Sequence, residues 1–365
     1  METLPMRGWA CPGTGSDLLT GECMMFRRVL VTGGCGYIGS VLVASLLERG
    51  YTVRVLDKLY FGDDALGEVR DRVELVAGDV RTVDESVLDD VWAVAHLGSL
   101  SNDPTSNFYP EASESINYYG TVRLAELCRQ RRIERFTFAS TCAVYGFWLE
   151  READENEPTA PQGAYAGSKL DAERYLLEHT GDAFHPTVLR QATVFGLSPR
   201  MRWDIVLNAF VMHGFRYGKL DVWFGGDAWR PLVHVRDVAD AHIRCLESPL
   251  DVVSGQVFNL VYGNYLILDL ASRVRDVLIE EGIDTTIAVN SDLRDSRSYK
   301  VSGEKLAHTI GFRPDWSPGD GAREVVRFLK AGHLQDFDHP IYYNLPWMRL
   351  LLSIEDRISR TGPVF

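Results

Sequence analysis

The sequence predicts a doubly wound α/β protein: a parallel sheet with helices on both faces, followed by a smaller mixed α/β lobe. Three observations predict it. Short β-branched runs alternate with segments of helical period. A glycine-rich turn joins the first strand to the first helix. The alternation then loosens into shorter, mixed elements after Gly146.

Residues 26–32 (FRRVLVT) read as a buried strand, and 38–49 follow with apolar residues at 38, 41, 42, 46 and 47, a helical spacing. A second strand at 52–56 ends on Asp57. The rhythm continues with a strand at 73–77, a helix at 82–90, a strand at 91–97, a long helix at 111–131 and a strand at 135–140. Such alternation implies right-handed crossovers and a parallel sheet.

Past a charged loop at 150–157, residues 161–179 read as a helix and 186–190 as a strand. Further helices are expected at 204–213, 236–247 and 267–281, and further strands at 220–224, 232–235 and 256–260. The expected organisation is a disordered leader at 1–25, a nucleotide-binding core at 26–190 to which 232–260 return in part, a lobe at 191–333, and an extension at 334–365. The leader also reads as sequence upstream of a start at Met24 or Met25. In the extension, 344–358 read as an amphipathic helix packed on the body, since it carries few cations for a membrane surface.

Composition narrows the function. The 365 residues are 45% hydrophobic and 24% charged, with a formal net charge of −13. That balance argues against a nucleic-acid partner, yet leaves room for a phosphorylated small molecule held by backbone amides and one or two arginines. Cys11, Cys23, Cys35, Cys128, Cys142 and Cys245 are scattered without metal-ligand spacing, as expected of reduced thiols in a cytoplasmic protein with no metal. No apolar run is long enough for a membrane span.

The chemistry begins at Val31-Thr32-Gly33-Gly34-Cys35-Gly36-Tyr37-Ile38-Gly39. Glycines between a strand and a helix let the backbone approach a pyrophosphate, and the helix start offers free N–H groups. Asp57, ending the next strand, is placed to accept both hydroxyls of an adenosine ribose and to repel a 2′-phosphate. That favours NAD over NADP, although Lys58 beside it works the other way. Asp79, after the third strand, either meets the adenine edge or caps the strand.

Tyr165-Ala166-Gly167-Ser168-Lys169 puts a phenol and an ammonium about one turn apart on a helix face. A phenol acting as a base near pH 7 needs a pKa about three below its free value, worth ~4 kcal/mol. A unit positive charge at ~4 Å in an effective dielectric near 20 supplies about that much. Lys169, helped by an oxidised nicotinamide, is the expected source. The fifth strand ends in Ser140 and Thr141, two hydroxyls at the carboxyl edge where such sheets bind ligands.

Together these residues resemble the extended short-chain dehydrogenase/reductases, specifically the nucleotide-sugar epimerase/dehydratase family, over about 27–329. The likeness includes Gly78-Asp79-Val80, Ala95-His96-Leu97, Ile116 to Thr121, Ser140 to Gly146, Val188-Leu189-Arg190, Arg230 to Ala239 and Arg297-Ser298-Tyr299. It implies a Rossmann core binding NAD through Gly33, Gly36, Tyr37, Ile38, Gly39, Asp57, Asp79, Val80, Leu97, Asn117 and Ser140. By the same resemblance Tyr165 is the base, Thr141 its hydroxyl partner, and Lys169 orients the nicotinamide ribose. Arg230 resembles the arginine that binds the nucleotide diphosphate, with Asn208 and Arg294 or Arg297 as further candidates. Ser101, Asn102 and Thr193 sit in loops that should line the sugar site. A homodimer through helices near 111–131 and 161–179 is a family-level expectation.

The departures shape the functional expectation. Members that eliminate water across C4–C6 carry Asp-Glu after the catalytic threonine, where this chain has Cys142 and Ala143, and decarboxylases place Glu at Ala143. The loop 97–104 differs from the usual Leu-Ala-Ala continuation, and Ala192-Thr193 replaces an aromatic-Asn pair. The leading expectation is an NAD-dependent C4 epimerase of a nucleotide-linked sugar. A reductase of a keto-sugar nucleotide or related carbonyl is the alternative, and a non-catalytic nucleotide sensor the third.

Overall fold

The computed structural model describes residues 27–146, 151–181, 183–290, 298–334 and 336–362. The expected leader at 1–25, and the anion candidates Arg294 and Arg297, lie outside the described residues.

The first half runs β1 (Arg28–Thr32), α1 (Gly39–Glu48), β2 (Thr52–Asp57), β3 (Val73–Ala77), β4 (Val91–His96), α2 (Asp103–Phe108), α3 (Gly120–Gln130) and β5 (Arg135–Thr141). It continues with β6 (Glu152–Ala153), α4 (Gly163–Glu178), β7 (His185–Gln191), β8 (Thr193–Phe195), α5 (Val206–Tyr217), β9 (Lys219–Val222) and β10 (Trp229–His234). The remainder is α6 (Val235–Glu247), β11 (Val257–Leu260), β12 (Gly263–Leu266), α7 (Ile267–Glu280), β13 (Thr286–Val289), β14 (Lys300–Val301), α8 (Glu304–Ile310), α9 (Pro318–Lys330) and α10 (Asn344–Thr361).

A seven-stranded sheet in the order β11-β7-β5-β4-β1-β2-β3 forms the centre, every pairing parallel. This is a doubly wound Rossmann-type sheet. Burial on both faces explains why its strands read as continuous apolar runs: β1 buries Val29, Leu30 and Val31 completely. The strand order reverses at β1, so a crevice opens beyond the carboxyl ends of β1 and β4. A second layer is built from β12-β10-β8 and the β13-β9 pair, over a core that includes Phe195, Trp203, Leu207, Leu220 and Val325.

Three segments depart from the sequence expectation. The helix expected at 82–90 is one 3₁₀ turn, Glu85–Leu88, capped by Asp84 and stopped by Asp90 at φ 58. Only Val87 and Leu88 are buried there, too narrow an apolar stripe to hold a longer helix. The long helix at 111–131 contains a π-helical turn, Glu114–Tyr119, which turns Ile116 and Asn117 inward. The helix α2 was not expected, although its signal is legible: Asn102 caps it by accepting from the Thr105 amide, and Pro104 sits in its first turn.

Candidate functional site

A cleft of about 550 Å³ lies at the carboxyl edge of the sheet. One wall is the glycine-rich turn. Gly33 adopts φ +71, and a Cβ there would lie 2.9 Å from Gly98, while a Cβ on Gly39 would lie 2.0 Å from the Gly33 carbonyl oxygen. Neither glycine has room for a side chain, and Gly36, Tyr37, Ile38 and Gly39 line the cleft at the start of α1. Such a cradle fits a dinucleotide's diphosphate.

The adenosine end is acidic but internally braced. Asp57 accepts the Cys35 amide at 2.9 Å and the Leu59 amide at 2.8 Å, which fixes its carboxylate while leaving lone pairs toward the cleft. Burial raises its pKa, and those two amides oppose the rise. Asp79 accepts from the side chain and backbone of Arg81 and pairs with Lys58 at 3.6 Å. The Arg81 hydrogen bonds hold it down at about 2. Lys58 is thus turned to Asp79. Val80 and Leu97 line the same wall.

At the other end α4 brings Tyr165 and Lys169 to the cleft beside Ser140 and Thr141. The two hydroxyls separate by partner. Ser140 donates to the Glu173 carboxylate, whereas the Thr141 hydroxyl accepts the Ala143 amide at 3.1 Å and acts to lower the Tyr165 pKa. Thr141 is the hydroxyl at the phenol.

Lys169 requires a correction. Its Nζ donates to the Ala139 carbonyl at 2.8 Å and lies 4.7 Å over the Phe138 ring, and burial pushes it down to about 7. Tyr165 is not depressed by it. Burial pushes the phenol up to about 12, the Asp103 carboxylate adds to that, and the Thr141 hydrogen bond and Arg202 guanidinium oppose it. Four residues on from Tyr165 along α4, the ammonium is buried against β5, with its hydrogen bond going to Ala139.

Two further expectations change. Asn117 does not line the cleft: its side chain grips both backbone groups of Leu100 (2.8 and 3.1 Å) and Ser168 Oγ, and so holds the loop after β4. Asn208 is fully buried, donating to Tyr37 Oη at 3.1 Å and to the Arg202 carbonyl, and accepting the Gly196 amide. With its amide consumed inside the fold, it cannot serve a diphosphate. Arg230 lines the cleft with Thr193, Ser101 and Asn102, and donates to the Trp229 carbonyl at 2.9 Å.

The sequence reading passed over Arg200, Arg202 and the stretch Tyr343 to Pro346, all of which line the cleft; Asp103, in the loop expected at the sugar site, lines it too. A usable signal existed for the arginines: Ser198-Pro199-Arg200-Met201-Arg202 places two cations in an otherwise apolar run. None existed for residues 343–346, which reach the site from the far end of the chain. Among the described residues no group of three or more His, Cys, Asp or Glu could hold a metal ion, and no helix is long and apolar enough to cross a membrane.

Comparisons with known proteins agree with this geometry. The NAD dependent epimerase/dehydratase family model matches residues 29–260. The chain is 28% identical over 309 residues to a putative UDP-glucose 4-epimerase of Methanocaldococcus jannaschii, covering 83% of this chain and 98% of that one. It is 26% identical over 323 residues to the dTDP-D-glucose 4,6-dehydratase of Bos taurus, covering 83% and 89%. The UDP-glucose 4-epimerase of Thermus thermophilus, solved with NAD, superposes with a TM-score of 0.69 at 28% identity, covering 83% of this chain and 99% of that one. With a glycine cradle, a ribose acid and a Tyr–Thr–Lys group on one cleft, the chain belongs to the NAD-dependent epimerase/dehydratase family, and NAD is its cofactor.

Proposed function

We propose that this protein is a C4 epimerase of a nucleotide-linked sugar. The observation that carries the reading is the pair of residues after Thr141. Cys142 is completely buried, its thiol donating to the Arg190 carbonyl at 3.0 Å, with burial pushing its pKa up. Ala143 offers no acid or base. Where dehydratases of this kind keep a proton-transferring pair, this chain has a packed thiol and a methyl group.

Gly33, Gly36 to Gly39, Asp57 and Lys169 would hold the cofactor. When bound, NAD supplies the hydride acceptor and returns the hydride. The protein handles the proton. Tyr165 takes it from the sugar hydroxyl, and the Thr141 hydroxyl, on the same cleft, steadies the oxygen as the proton leaves. Arg230 then binds the nucleotide's diphosphate and keeps the sugar ring positioned while its keto form turns over. The relatives named above as 4-epimerases support this reading.

On this reading the enzyme works in the cytoplasm as a homodimer through the helices near 111–131 and 161–179, where Tyr119 stands 57% exposed. Sedimentation velocity tests the assembly. The reaction is tested by turnover of UDP-glucose in deuterated water. Epimerisation by a returned hydride keeps the original hydrogen on the product. Deuterium appearing at C3 or C5, or loss of water from the sugar, overturns it.

A further inference from the structure

Residues 196–205 cross from the second layer to the glycine-rich turn and are tied to it. Ser198 Oγ donates to the Tyr37 carbonyl at 2.6 Å, and Tyr37 Oη donates to the Gly196 carbonyl at 2.6 Å. This loop carries Arg200 and Arg202 into the cleft. Arg202 forms a two-pronged pair with Asp204 at 2.8 and 3.0 Å. Arg200, 7% exposed, has no carboxylate in ion-pair range among the described residues, and its Nε has no hydrogen-bond partner there. Two guanidinium groups thus share one carboxylate. A buried, uncompensated cation is costly unless an anion joins it. Burial and the Arg202 cation push Arg200 down to about 9, against the opposing charge of Asp204.

The same guanidinium is held rigidly. Its Cζ lies 3.7 Å from the Phe61 ring centroid, and it donates to Asn344 Oδ1 at 2.6 Å. Asn344 opens α10, and its own amide donates to Asp204 at 3.1 Å while its side chain donates to Ser101 Oγ at 3.3 Å. One turn on, Trp347 donates to the Tyr60 carbonyl at 2.6 Å and stacks on Phe61. The C-terminal extension therefore ties together the loop after β2, the loop after β4 and the arginine loop, all of which line the same cleft as the glycine turn.

We propose that Arg200, fixed by Phe61 and Asn344, is a clamp for the dinucleotide's diphosphate, and that the C-terminal extension belongs to the cofactor site. Phe61 follows the ribose acid Asp57 closely, and the arginine loop is bonded to Tyr37, so Arg200 belongs to the cofactor end. Arg230 lines the cleft with Tyr299. The clamp rests on the dinucleotide site and not on which sugar reaction follows. Glycine-turn amides hold the diphosphate from one side, and a planar guanidinium meets it from the other.

The test uses the full chain freed of resident nucleotide, with ADP-ribose, adenosine and UDP as probes in calorimetry and competition. Arg200→Gln is expected to weaken ADP-ribose by roughly 10- to 100-fold, the range for a charge-assisted hydrogen bond. Adenosine and UDP should bind as before. Asn344→Ala should weaken ADP-ribose less, in the same direction, and Arg200→Lys should recover part of the loss. Unchanged ADP-ribose binding in Arg200→Gln overturns the proposal. So does an equal loss for adenosine, which indicates a damaged pocket, and so does a loss confined to UDP, which assigns the arginine to the substrate.

Discussion

On the proposed mechanism Tyr165 has to lose its proton at neutral pH, and its surroundings in the protein alone work against that. Its pKa stands at about 12 because burial strips the phenolate of water and Asp103 adds a negative charge nearby. Thr141 and Arg202 pull the other way without winning. On that mechanism the base becomes competent when the cofactor's positive ring arrives. Ultraviolet difference titration should place the Tyr165 phenol near its high value without cofactor and lower it when NAD⁺ is bound, with Tyr165→Phe as the blank. Tyr165→Phe itself should lose at least ~100-fold in rate, within the usual range for general acid–base catalysis. An unchanged rate removes the phenol from the mechanism. The glycine turn, Asp57, Tyr165 and Lys169 were legible in the sequence because each is a short local pattern. Asn344 was not, because its meaning lies in a contact with Arg200, 144 positions away.

At the scale of elements, the catalytic helix is secured from below. Glu173 on α4 and Arg190 on β7 form a buried pair with contacts of 2.7 to 3.2 Å, and Arg190 also donates to Tyr145 Oη at 2.9 Å. Their side chains are 1% and 7% exposed. Such a pair fixes α4 against β5 and β7, and so fixes the register of Tyr165 to Thr141. Arg190→Met alone should cost ~3–5 kcal/mol in urea unfolding, because it strands a buried carboxylate. Glu173→Leu combined with Arg190→Met should recover much of that, because no charge is left unpaired. If the single and double variants lose equally, the pair is not what holds the helix. Element order was readable from periodicity for the same reason the sheet exists: strands buried on both faces need apolar runs. The π turn at Glu114–Tyr119 escaped because it changes register without changing composition.

For the whole molecule, two buried histidines make stability depend on pH. His96 bonds Thr32 and Thr121, and His242 bonds Thr137 and Gln191. Burial, reinforced by the Lys169 charge, pushes both down to about 3 from 6.5. Below pH 6.5 the unfolded chain binds protons that the folded one refuses. Their contribution is therefore complete above that value and is lost as pH falls toward 3. The urea midpoint should drop between pH 6.5 and 4.5, with a slope up to ~1.4 kcal/mol per pH unit for each histidine. His242→Gln should flatten that slope, and an unaltered slope would show that His242 does not contribute.

The second layer, the C-terminal extension and the Rossmann sheet meet at a single cleft, so the account is tested best by what that cleft does unaided. Purified full-length protein, given UDP-glucose with no added nucleotide, should form the C4 epimer over many turnovers while its resident NAD is neither consumed nor released. Stoichiometric consumption of added NADH with a reduced product, and no epimer in its absence, would contradict it.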